Sequence, residues 1–197
     1  LRSDHHRLIA GRLKRSGACA FVWIGVAFLA ACASPTAQRI DDDARGNGFD
    51  AQMNYWHTLA TRELISNEEA VHGLFLLVDE ETPDVDYPTR VAMLKDRGLI
   101  SDGFAGPPEQ AATRGLVAVA IARILDVPGG VMFHLFPRSP RYAARELEHL
   151  GLFPTSSPHQ PLAGPAYLAI IGRAQDHLAG VNRVTGANLP EPADEPM

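Results

Sequence analysis

"DYPTRVAMLKDRGLISDGFAGPPEQAATRGLVAVAIARIL" (86–125) holds two helical signals with a loop between them. Pro88 suits a first helical position, where its missing N–H would have had no intrahelical partner. Gly98 can close that helix in a left-handed conformation, with Leu99 folding back over the last turn. "TRGLVAVAIARIL" (113–125) then supplies a second, more apolar helix.

The same two-part pattern recurs on either side. Met53, Trp56, Leu59/Ala60 and Leu64 return at three- and four-residue steps, the period of an amphipathic helix. Ser66 and Glu69 have the spacing of a capping box opening a helix over 68–78, with Val71, Leu74, Phe75 and Val78 on its apolar face. "DEETPDVDYP" breaks the chain before Pro88, Ser139-Pro140 repeats the helix opening, and Gly151-Leu152 repeats its close. "LATRELI" (59–65), "LKDRGLI" (94–100) and "LEHLGLF" (147–153) align, matching Leu59, Leu94 and Leu147, then Leu64, Leu99 and Leu152. The second helices are "SNEEAVHGLFLLV" (66–78), "TRGLVAVAIARIL" (113–125) and "AGPAYLAIIGRAQ" (163–175). In that register Leu74, Ile121 and Ile171 coincide, and Arg123 meets Arg173. A two-helix unit buries little by itself, so three must stack on one core. The expectation is an all-α fold: one compact domain of three stacked helix-pair repeats over 51–180. The short apolar run "VMFHLF" (131–136) reads as core filler, a strand or a buried linker between the second and third pairs, or else as a groove or partner contact.

Ahead of this domain the composition changes. The first 32 residues hold five Lys/Arg and one acid, a net of +4 in a chain of net −5, which leaves −9 on residues 33–197. The uncharged stretch 18–31 is 14 residues long. That matches the ~7–15 residues of a signal-peptide core rather than the ~20 of a spanning helix. Leu29-Ala30-Ala31-Cys32 resembles the lipobox of bacterial lipoproteins, which implies cleavage before Cys32 and acylation of its thiol. The expected order is therefore a lipoprotein signal peptide over 1–31, a flexible tether over 32–50, the helical domain over 51–180, and a disordered acidic, Pro-rich tail over 181–197. Membrane lipid is the expected partner of Cys32. Ala33, in place of Asp, resembles an outer-membrane address on a protein facing the periplasm or exterior. The only other cysteine, Cys19, falls in the discarded core, so no disulfide is available to the mature chain.

The unit 86–125 resembles an S-layer homology module. That family has a helix ending in Gly-Leu/Ile, a short loop with a glycine and an aromatic, and a Thr-Arg opening a second helix. Here these are Gly98-Leu99-Ile100, Gly103-Phe104 and Thr113-Arg114. The resemblance implies three modules in one domain that holds cell-wall polysaccharide or peptidoglycan non-covalently, with Thr113 and Arg114 as candidate glycan-binding residues. Only these two carry over, because Gly115 and Leu116 stand where the family continues with a small residue and Glu. Independently, Arg114 near a helix N-terminus has the position and the forked guanidinium to clamp a carboxylate or phosphate; an ion pair with Asp102 or Glu109 is the structural alternative.

No His-Glu-x-x-His, Gly-x-Ser-x-Gly or phosphate-loop motif occurs, so no enzyme, metal or cofactor is expected. Glu146, Glu148 and His149 read as one solvated helix face. The net of −9 after the leader argues against nucleic acid. The alternative to glycan binding is a protein–protein scaffold or assembly lipoprotein of the envelope that uses residues 131–136.

Overall fold

In a computed structural model, residues 35–137 and 139–187 are described, without side chains for 181–187. The leader 1–31, the candidate lipidation site Cys32 and the last ten residues lie outside the described residues. The described chain is all-α: seven helices, no strand, and three isolated β-bridges. The helices are α1 (Phe49–Thr61), α2 (Asn67–Asp79), α3 (Tyr87–Asp96), α4 (Arg114–Ile124), α5 (Val131–Leu135), α6 (Pro140–His149) and α7 (Gly164–Ala187). None of the described helices is long and apolar enough to cross a membrane.

Local chemistry sets the helix ends. Ser66 and Glu69 form the capping box that opens α2: the Ser66 amide donates to the Glu69 carboxylate (2.8 Å), and the Glu69 amide donates to the Ser66 hydroxyl (3.1 Å). Asp86 and Thr113 cap α3 and α4 through their side chains, and prolines sit in the first turns of α3 and α6. α3 and α6 close alike. Gly98 (φ 69°) and Gly151 (φ 73°) take the left-handed conformation that favours glycine. Leu99 and Leu152 then fold back to donate to Leu94 and Leu147, each at 2.9 Å. α1 has no such glycine; Arg62 ends it in an extended conformation and sends the chain directly on to Ile65.

Three backbone amides join the helix pairs. Ile65 N–H donates to the Leu162 carbonyl (3.0 Å), Leu162 N–H to Ala112 (2.9 Å), and Ala112 N–H to Ile65 (2.9 Å), closing a ring. All three residues are buried, and each lies just ahead of the start of α2, α4 or α7. Helix packing follows the same cycle: α2 meets α3, α4 lies along α6, and α7 returns to α1. α2 is the central element, with every residue from Asn67 to Leu77 buried. Two tyrosines approach it closely: Tyr55 donates to the Glu69 carbonyl (2.7 Å) and Tyr167 to the Ala70 carbonyl (2.8 Å). Both hydroxyls lie 2.5 Å from where a Cβ on Gly73 would stand.

Four expectations change. Residues 35–50 are not a free tether, because Ala37 and Ala111 exchange backbone bonds with Glu109 and Pro35, and Ile40 and Ala44 are buried. Residues 181–187, expected to belong to the disordered tail, continue α7 to Ala187. "VMFHLF" is neither strand nor core filler: it holds a five-residue helix that buries only Phe133. On α1 the inward face is Tyr55 and Leu59, while Met53 is 54% exposed.

Gly73 and Gly172 make a matched test, since nothing lies within 4 Å of a Cβ at Gly172. Thermal unfolding of Gly73→Ala should show a loss of about 1–3 kcal/mol from overpacking. Gly172→Ala should be neutral or gain up to about 1 kcal/mol from helix propensity.

Candidate functional site

Two depressions adjoin the starts of the long helices. The larger is a cleft of about 490 Å³ between the N-terminal segment, the start of α2 and the loop leading into α3. At its base is Glu68, whose side chain is 2% exposed. Three arginines reach it: Arg39 Nε at 2.8 Å, Arg90 Nη2 at 3.2 Å and Arg45 Nη2 at 3.4 Å. A buried carboxylate without partners would be strongly destabilising, and the guanidiniums provide the compensation. The donors differ in exposure: Arg90 is buried and its Nε has no hydrogen-bond partner, whereas the Arg39 and Arg45 side chains are 52% and 40% exposed. The outer wall is fastened by Asn47, whose side-chain amide exchanges two bonds with the Thr82 backbone (2.9 and 2.7 Å). Asp84 and Asp86 also line the cleft, and the Asp86 carboxylate accepts from the Thr89 amide. Chemically, the half-exposed guanidiniums of Arg39 and Arg45 suit a carboxylate or phosphate, and Asp84 and Asp86 in the same lining suit hydroxyl groups, so the cleft offers both donors and acceptors to a polar ligand.

Around the cleft, burial sets the proton affinities. It pushes the Glu69 carboxyl up, against the pull of the Ser66 amide and Arg62, whose Nε donates to Glu69 at 3.2 Å. His72 is fully buried, edge-on to Tyr55 at 4.6 Å, with neither ring nitrogen hydrogen-bonded. Burial, reinforced by the charges of Arg90 and Arg45, lowers its pKa to about 4.

The smaller groove, about 300 Å³, contains Thr113 in its wall together with Ser101, Phe104 and Pro140. The Thr113 hydroxyl accepts from the Leu116 amide (3.3 Å) as the cap of α4. Its neighbour Arg114 is only 7% exposed and turns elsewhere: Nη2 donates to the Pro154 carbonyl (2.7 Å), and the guanidinium lies 5.5 Å from the centre of the Phe153 ring. These contacts take the place of the ion pair with Asp102 or Glu109 considered from sequence, and they tie α4 to the loop after α6. The face read as solvated is also partly engaged, with Glu146 accepting from the Gly130 amide and Glu148 from the Ser156 amide. Among the described residues, no three His, Cys, Asp or Glu side chains come together as metal ligands would.

Sequence reasoning missed the cleft because its members carry no motif. Arg39 and Arg45 lie in the presumed tether, Arg90 in an ordinary helix turn, and Glu68 beside a capping glutamate. The usable signal was the apolar flank on both faces of "NEEAVHGLFLL", which marks a helix buried all round whose polar residues must find partners.

Glu68→Gln leaves three guanidiniums without their counter-charge and should cost about 3–5 kcal/mol in denaturant unfolding. His72 gives a signed pH test. Its folded pKa lies below the ordinary 6.5, so its contribution is complete above pH 6.5 and is lost as pH falls towards about 4, where the unfolded chain takes up a proton that the folded one refuses. Between pH 7 and 4.5 the loss should be roughly 2–3 kcal/mol, and His72→Leu should remove that part of the slope. Comparison of the chain with protein-family models, with curated proteins and with solved structures found no match.

Proposed function

We propose that this is a lipid-anchored cell-envelope protein whose helical domain, three helix pairs akin to S-layer homology modules, holds an anionic cell-wall glycan without covalent bonds. The observation that carries the binding is the Arg39–Arg45–Arg90 cleft, whose two outer guanidiniums keep solvent-facing donors. The three-unit arrangement is supported by the ring through Ile65, Ala112 and Leu162, which falls on the register that aligns Ser66, Thr113 and Ala163. It is supported also by the cyclic packing of each second helix on the next pair's first.

In this reading the protein acts by adhesion, not catalysis. Acylation at Cys32 holds it at the membrane. Only Ala33 and Ser34 separate that residue from Pro35, whose carbonyl is already bonded to the domain. Three residues reach at most about 11 Å, so the domain stays close to the bilayer that anchors it. Thr113 contributes from its groove wall, and Arg114 acts as a brace. An envelope scaffold, the second reading, would use residues 131–136, of which Val131, Met132, Leu135 and Phe136 are exposed.

Sedimentation with purified sacculi tests the binding. The protein should be retained, and Arg39→Gln/Arg45→Gln should weaken retention about tenfold, as expected for two half-exposed charged contacts worth under about 1 kcal/mol each. Gly172→Ala should leave it unchanged. Absence of retention would sink the glycan reading; retention indifferent to the two arginines would sink the cleft as its site. The mass of the mature N-terminal peptide tests acylation separately.

A further inference from the structure

The segment joining α4 to α6 departs from the rest of the chain in charge and in exposure. Residues 127–145 contain three arginines, one histidine and no acid, in a chain with 23 acidic against 18 basic residues. Within it, Val131, Met132, Leu135 and Phe136 are 77%, 45%, 65% and 53% exposed. α5 packs along α6, and the Phe136 ring stacks on Tyr142 with centroids 5.9 Å apart. The apolar side chains therefore border α6, from which Arg141 and Arg145 project into solvent. The acids of α6 are drawn to backbone amides: Glu146 to Gly130 at 3.0 Å and Glu148 to Ser156 at 3.2 Å.

We propose that α5 and the adjoining edge of α6 form a docking surface for an anionic lipid bilayer. Charge complementarity selects this occupant. A protein partner would need only an apolar face to cover the four side chains, whereas the headgroup layer offers phosphates to Arg141 and Arg145 and an acyl boundary to Val131, Leu135 and Phe136. A helix of five residues is far too short to span; it lies within the interface, its apolar face buried about 5–10 Å. The surface is a second membrane contact, independent of any acyl chain at Cys32 and of glycan binding.

The test uses the mature chain from residue 32 carrying Cys32→Ser, so that neither the apolar leader nor an acyl group contributes. Amide exchange is followed with vesicles of phosphatidylcholine alone or mixed with phosphatidylglycerol. Exchange at 131–136 should slow several-fold on the anionic vesicles only, and recover at high salt. Leu135→Ser/Phe136→Ser should abolish this protection with the melting temperature unchanged, and Arg141→Gln/Arg145→Gln should weaken binding in a lipid titration about tenfold. Val131→Ser, at the most exposed of the four positions, gives the same reading should the Phe136 change disturb the fold. Equal protection on both vesicles, or vesicle binding with 131–136 exchanging freely, overturns the proposal. So does protection that appears only with another envelope protein, which would favour the scaffold.

Discussion

Three buried amides passing hydrogen bonds around a closed ring form the constraint on which this domain depends. Ile65, Ala112 and Leu162 are far apart in sequence, yet each gives its N–H to one of the other two and its carbonyl to the remaining one. Inside a core an unmet backbone group costs about 1–3 kcal/mol, so a segment that left the ring would strand polar groups on both its neighbours. The ring brings the starts of α2, α4 and α7 together. It also explains two of the three isolated bridges, Ser66–Ala111 and Thr113–Pro161, which lie just before these helices; the third, Thr36–Gln110, adds the N-terminal segment beside them.

The cleft is a consequence of that convergence. α2 is enclosed on all sides, so the polar residues of its first turns cannot turn to water. Asn67 donates to Pro107, Glu69 is held by Ser66 and Arg62, and Glu68 collects Arg39, Arg45 and Arg90. The positive end of the helix dipole assists the two glutamates. His72, one turn further along and edge-on to Tyr55, stays neutral because burial and the nearby charges of Arg90 and Arg45 disfavour its protonated form. The three cations around Glu68 are answered by Asp84 and Asp86 in the same lining and, at Arg45, by Asp42 (3.4 Å), so the cleft is balanced in charge while the half-exposed Arg39 and Arg45 keep part of their guanidiniums towards solvent.

Arg114 illustrates how burial reassigns a residue. Its place beside a helix N-terminus favours an anion, and its sequence neighbour Thr113 does line a groove. The side chain nevertheless extends over Phe153 to a carbonyl, where stacking and a 2.7 Å bond fasten the loop after α6. The apolar run beside α6 is the converse case, a segment hydrophobic enough for the core that buries only Phe133 and leaves Val131, Met132, Leu135 and Phe136 exposed.

The sequence by itself determined the all-α class, the helix ends and their register. The reason is local: a capping box, a proline in a first turn and a left-handed glycine act within four or five residues, so Ser66, Pro88, Gly98, Pro140 and Gly151 could be read directly. Hydrophobic period was less reliable at α1, where Tyr55 rather than Met53 faces inward because the tyrosine hydroxyl finds a carbonyl on α2. Only the tertiary structure decided that Arg39 and Arg45 leave a polar N-terminal stretch to meet Arg90 at Glu68, that residues 131–136 stay outside, and that Arg114 is a brace. Those outcomes depend on contacts across tens of residues, and side-chain chemistry states what each group needs without stating which distant group will supply it.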